Sequence, residues 1–309
     1  SVPVPIPDKQ GQNIVSFRTG SGARRLVRLV SYIKGEKLSS LIHRDTKVLR
    51  SLGRSVGCLN QVLSTFEKEI PERDGFAWDL TNAHEVITTN LDCIEEHAER
   101  NLLERLCENL ESNIQHKLHK LPTSLLHNDA NDHNVLVSPP LSEGHQVVGI
   151  LDFGDMITGP SIYDLAISAA YAQMGMEDPF SSILTLVQAY NEVQPITPEE
   201  LEVLFPLVCA RLAVSVSLSA AHIQDGNMDP YLTISQKASW RSLNTLVEIH
   251  PRLARNRLRE SCGLPPCPNN EKIKKWMEIN KANCGPLVKD PLDDSLIFDL
   301  SPGSTSLPD

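Results

Sequence analysis

Two short stretches constrain this chain more than anything else in it: HNDANDHNVLV, from His127 to Val137, and GILDFGD, from Gly149 to Asp155. Each joins aliphatic residues to a polar cluster. Val135-Leu136-Val137 reads as a strand, Val147 to Leu151 as its partner, and the intervening SPPLSEGH as the turn of a hairpin. Such a hairpin carries Asn134 and Asp152 to neighbouring strand ends, where two hard oxygen ligands can share one metal ion.

Phosphoryl transfer asks for three placed groups: a carboxylate that orients the attacking hydroxyl, an amide oxygen on magnesium and a second carboxylate on magnesium. Asp129, Asn134 and Asp152 supply those types in that order. Asp129 and Asn134 keep the spacing of the protein-kinase pattern HRDLxxxN, and Asp152-Phe153-Gly154 repeats its DFG. On these residues the chain resembles the aminoglycoside phosphotransferase superfamily of protein-kinase-like small-molecule kinases. Within it, HNDANDHNVLV, GILDFGDM and the later helical region are similar to the hydroxylysine kinase group. They are similar also to the kinase domain of fusion proteins carrying a peptidase-like segment and a class III aminotransferase. The similarity spans Val2 to Leu264.

The resemblance implies an α+β, protein-kinase-like fold of the aminoglycoside phosphotransferase type, with a largely helical C-lobe and a truncated β N-lobe. Residues 1–33 would be the N-lobe remnant with two strands and the hinge, 34–262 the C-lobe carrying the hairpin, and 263–309 a linker or disordered tail. Asp129 would be catalytic; Asn134 and Asp152 would hold Mg2+; Tyr32 and Ile33, at the hinge, would meet the base of ATP or GTP. Asp155 is the candidate contact for a substrate ammonium. His127, Asn131 and Asp164 would support the loop, and Asp132 and His133 would hold its shape. Each has a plainer alternative: a turn aspartate bonded to its own backbone for Asp129, ordinary turn residues for Asn134 and Asp152, a structural salt bridge for Arg211, and packing for Trp78.

Charge sharpens the choice of partner. No Lys or Arg lies between Lys120 and Arg211, whereas Asp129, Asp132, Asp152, Asp155 and Asp164 all do, in a chain of net charge −10. Nucleic-acid binding, which needs cations to displace counterions, is disfavoured, and a small cationic amino alcohol or hydroxylated amino acid is the expected substrate. No uninterrupted apolar run reaches the length of a membrane span, so no membrane partner is expected. Seven scattered cysteines without CxxC spacing read as reduced thiols, in keeping with a cytoplasmic protein, and the opening SVPVPIPDKQ has no signal-peptide pattern.

Along the chain, residues 13–17 and 25–30 read as two strands joined by RTGSGAR. Leu38 to Glu69 and Asn90 to Leu118 read as amphipathic helices, with Gly53 and Gly57 at close-packed positions of the first. Residues 70–82 read as a loop; 162–174, 179–193, 198–225 and 231–249 as helices; and KIKKWMEINK as helix-like. A kinase of this type also needs a strand lysine, a helical glutamate and a glycine-rich loop over the phosphates, and none can be placed here. The expectation is therefore a partial chain, possibly inactive as it stands, with a fused aminotransferase domain in a longer parent. The rival readings are a non-catalytic scaffold and a kinase for choline, ethanolamine, homoserine or an aminoglycoside.

Overall fold

The computed structural model describes residues 1–66, 70, 73–139, 144–226, 230–280, 287–289 and 296–298. The chain divides into a unit of Ser1–Leu264 and one of Pro265–Asp309.

The first unit opens on four short strands, β1 (Pro5–Ile6), β2 (Val15–Arg18), β3 (Arg24–Val27) and β4 (Leu29–Val30). They form two antiparallel pairs, β1 with β4 and β2 with β3, and every residue in them is exposed. The β2–β3 turn runs through Gly22 at φ +82°, a conformation that side chains disfavour. Then come β5 (Glu36–Lys37), a 3-10 turn at Leu38–Ser40 and helix α1 (Thr46–Ser64). The helix expected from Leu38 thus starts later, because the Asp45 carboxylate accepts from the Val48 N–H at 2.8 Å and caps it there. Residues 67–69 of that expected helix fall outside the described residues.

Helix α2 (Ala83–Thr89) was not visible in the apolar pattern. The helix expected over 90–118 is broken into a 3-10 turn at Leu91–Cys93, α3 (His97–Asn109), a π-helical turn at Leu110–Ile114 and α4 (Gln115–Leu118). The break before α3 falls at Ile94, which is extended and buried, with the Arg100 side chain donating to its carbonyl at 2.7 Å.

Strands β6 (Thr123–Leu126), β7 (Val135–Val137), β8 (Val147–Ile150) and β9 (Ile157–Pro160) make two small antiparallel sheets, β5-β7-β8 and β6-β9. The expected β7–β8 hairpin is present; β9 has no periodic signature and owes its place to pairing with β6. Helices α5 (Ile162–Ala172), α6 (Pro179–Asn191), α7 (Pro198–Gln224), α8 (Pro230–Val247) and α9 (Pro251–Ser261) complete the unit.

Thr197 and Glu200 close a capping box at the start of α7, with Pro198 at its first position. This is the one helix among the described residues long and apolar enough to cross a membrane, but 89% of its apolar window is buried inside the fold. It is the central core helix. Helix α1 lies directly on α6 through Gly53, where a Cβ would sit 2.2 Å from the Leu186 carbonyl oxygen. In the second unit, expected to be linker or tail, helix α10 (Asn270–Ile279) and an antiparallel pair, β10 (Leu287–Lys289) with β11 (Leu296–Phe298), are described.

Candidate active site

The hairpin register pairs Val135 with Ile150, and just beyond it the Leu151 N–H donates to the Asn134 carbonyl at 2.8 Å. Asn134 and Asp152 therefore leave the two strand ends side by side. Asp152 is exposed and adopts φ 62°, a left-handed conformation costly for a residue with a side chain. Its carboxylate accepts from the Gly154 N–H at 3.2 Å, which opens a 3-10 turn over Phe153–Asp155.

The polar loop from His127 to Asn134 is anchored to the helical body by Asp164. This residue, fully buried in the first turn of α5, accepts from the backbone N–H of His127 at 3.0 Å and of Asn128 at 2.7 Å. Those bonds hold Asn128 at φ 64°. His127, also fully buried, accepts at Nδ1 from the Asp129 N–H at 3.2 Å. That assigns the proton to Nε2, which donates to the Leu151 carbonyl at 2.9 Å. Its ring meets Phe153 edge-on at 4.6 Å. One histidine thus ties the loop to the Asp152 turn.

Asp129 is the most heavily bonded carboxylate of the loop. Oδ1 accepts from Asn131 Nδ2 at 2.9 Å and from Arg211 Nη2 at 3.1 Å; Oδ2 accepts from Asn134 Nδ2 at 2.6 Å. Burial pushes its carboxyl above the usual range, against the pull of the Arg211 guanidinium. Because Asn134 gives its amide N–H to Asp129, its amide oxygen is the atom left for a cation. Together with the exposed Asp152 carboxylate this is a hard-oxygen donor set that fits magnesium, which takes one or two protein oxygens and completes its shell with water and phosphate. Asn131 Oδ1 accepts from the N–H groups of His133 and Asn134 at 2.8 and 3.1 Å, fixing the turn between the two key residues.

Asp129 and Asp155 open onto a cavity of about 1030 Å³, whose wall includes Lys37, Trp78, Tyr171 and Arg211. Asn134 and Asp152 are not among its lining residues, nor are Tyr32 and Ile33. Tyr32 is 88% exposed, and Ile33 packs over Gly149, its Cγ2 2.9 Å from where a Cβ would stand. The hinge pair is not brought to the loop. A more apolar cleft of about 1140 Å³ runs along α1 and β8 past Cys58, Val62 and Phe66, and is lined by none of the three motif residues.

The acidic window is corrected by the fold. Arginines from outside it reach four of its acids: Arg211 to Asp129 at 3.1 Å, Arg44 to Asp132 at 2.7 Å, Arg73 to Asp155 at 3.2 Å, and Arg50 and Arg54 to Glu192. Arg44 also donates to the carbonyls of Tyr171, Ala172 and Met174 as α5 ends, so the loop and that helix end share one cation. Asp155, expected to meet a substrate ammonium, already has a guanidinium partner. Arg211 was legible only as a cation that would pair with some acid, and Trp78 as packing; nothing in the sequence pointed to Arg44 or Arg73.

The chain is 29% identical to hydroxylysine kinase of Mus musculus over 77% of its own length and 65% of that protein's. It is 28% identical to hydroxylysine kinase of Xenopus laevis over 78% of its own length and 68% of that protein's. It therefore spans about two-thirds of the length of these relatives. Among solved structures, the microcompartment-associated aminopropanol kinase superposes with a TM-score of 0.59 at 18% identity, covering 86% of this chain and 78% of that one, a likeness of fold. Residues 2–204, which carry both the Asp129 loop and the Asp152 turn, match the phosphotransferase enzyme (APH) family, and the chain belongs to that family.

Proposed function

We propose that the chain is the acceptor-binding and magnesium-binding part of a small-molecule kinase. It would move the γ-phosphoryl group of ATP or GTP to the hydroxyl of an amino alcohol or hydroxylated amino acid, with hydroxylysine the leading substrate. The observation that carries this reading is the bonding of Asp129. An ionised carboxylate offers about four acceptor positions. Asn131, Arg211 and Asn134 take three of them, and the position left on Oδ2 suits an acceptor hydroxyl entering from the cavity.

In this mechanism Asp129 accepts the hydroxyl hydrogen bond and aligns the oxygen for attack, and takes its proton as the new P–O bond forms and the bond from the γ-phosphorus to the departing nucleoside diphosphate breaks. Asn134 and Asp152 would hold magnesium, which would supply positive charge to offset that of the nucleotide phosphates. His127 and Asp164 keep the loop in register with the Asp152 turn. Arg73 stands against Asp155 as a competitor for the substrate amine.

Phosphate transfer from ATP and from GTP should be measured across hydroxylysine, ethanolamine, choline, homoserine and an aminoglycoside, with Asp129→Asn alongside. The proposal expects transfer to at least one amine-bearing alcohol, a loss of about 10²- to 10⁴-fold in D129N, and abolition by a chelator. Equal transfer by wild type and D129N would end it. A second reading, a kinase lobe that serves as a non-catalytic scaffold, is favoured by the wholly exposed strands β1 to β4. Calorimetry with magnesium and nucleotide separates the two: heat of binding favours the kinase, and none at millimolar nucleotide favours the scaffold.

A further inference from the structure

We propose that Arg211 is a positioning residue: it pins Oδ1 of Asp129 so that Oδ2 is the oxygen turned toward the acceptor hydroxyl, a role that rests on the hydroxyl-kinase reading above. Arg211 sits on α7 and is 2% exposed. Each nitrogen of its guanidinium has a different partner: Nε donates to the Tyr171 hydroxyl at 3.2 Å, Nη1 to the Trp78 carbonyl at 3.1 Å and Nη2 to Asp129 Oδ1 at 3.1 Å. The Trp78 and Tyr171 rings lie 4.5 and 5.6 Å from its central carbon. Partners on α5 and on the segment before α2 therefore fix the plane of the fork, and the fork fixes the carboxylate.

The pinning is asymmetric. Arg211 and Asn131 both bond Oδ1, whereas Oδ2 has only Asn134 among the described residues. Without Arg211, Oδ1 would regain an open acceptor position and the two oxygens would become near equivalents, each able to draw the hydroxyl to a different place. Since a small misplacement of a reacting group costs about a hundredfold in rate, orientation is worth holding. Asp129 is also the one ion-pair partner of Arg211 among the described residues, so the buried cation and the loop carboxylate stabilise each other. Lysine cannot take over, because one ammonium does not reproduce a planar fork with three separated partners.

The test compares Arg211→Lys and Arg211→Met in the 309-residue chain with Leu204→Ala, which opens a cavity on α7 about two turns earlier. Activity is expressed per folded molecule. Both Arg211 variants should lose about a hundredfold in kcat with KM for nucleotide and acceptor within about threefold, while L204A melts earlier yet keeps kcat. A folded R211K with wild-type kcat would overturn the proposal. Should the Arg211 variants not fold, the wild-type protein decides: separate nuclear magnetic resonance signals for the Arg211 Nη hydrogens are expected, and signals averaged by free rotation would overturn the pin. Absence of transfer by wild type to any alcohol defeats the kinase reading alone, and the guanidinium signals still decide whether Asp129 is pinned.

Discussion

The loop from His127 to Asn134 and the hairpin of β2 and β3 are both short, polar at their tips and far from helical, yet they are held in opposite ways. The hairpin is exposed throughout and kept by its own ladder, Val15 opposite Val27 to Arg18 opposite Arg24. The loop has almost no regular structure, but Asp164, Arg44 and Arg211 tie it to the helical body from three directions. Where chemistry requires exact placement, buried polar bonds to rigid elements do the placing; where it does not, local pairing suffices. Two loop groups remain strained or costly in consequence, the left-handed Asn128 and the half-buried Asp129 carboxyl.

The contrast can be broken most severely at Asp164. Removing its carboxylate in Asp164→Ala leaves the N–H groups of His127 and Asn128 buried without acceptors, so denaturant unfolding should reveal a loss of about 3 kcal/mol. A next test is Gly53→Ala, which drives a methyl into the α6 backbone at Leu186 and Tyr190 and should cost about 2 kcal/mol in the same assay while leaving any transfer activity per folded molecule intact.

Smaller still is the cap of α6. Asp178 accepts from the side chain and the backbone N–H of Ser181, and these bonds hold its carboxyl below the usual range. A depressed folded value means that the stabilisation is present above the ordinary carboxylate range and is lost as pH falls through the folded value. Asp178→Ala should therefore cost about 1 kcal/mol at neutral pH, and its melting curve should converge on that of wild type in acid. At the far end of the scale, Phe17→Ser on the exposed hairpin should change stability by less than about 0.5 kcal/mol; a larger loss would mean that the hairpin is integrated with the body after all.

The strands of the hairpin, the later helices α5 to α8 and the spacing of Asp129, Asn134 and Asp152 were legible because they are local. Aliphatic runs of the right period, glycine turns and fixed offsets between functional residues all lie within one window of sequence. Strand β9 and helix α2 were not, since Ile157 to Pro160 becomes a strand only by pairing with β6, and the short α2 lacks a long apolar period. Helix starts were misjudged where a cap decides them, as Asp45 does for α1.

The sequence by itself determined the chemical inventory: a loop carboxylate, an amide and a second carboxylate on either side of a hairpin, in a chain dominated by helices. Only the tertiary structure decided the electrostatics. An acidic window free of Lys and Arg for some ninety residues receives Arg44, Arg73 and Arg211 from elsewhere, each onto a different acid. Charge along a chain is local and can be counted, but the partner of a buried charge is whichever opposite charge packing brings within reach, and packing is a property of the whole fold.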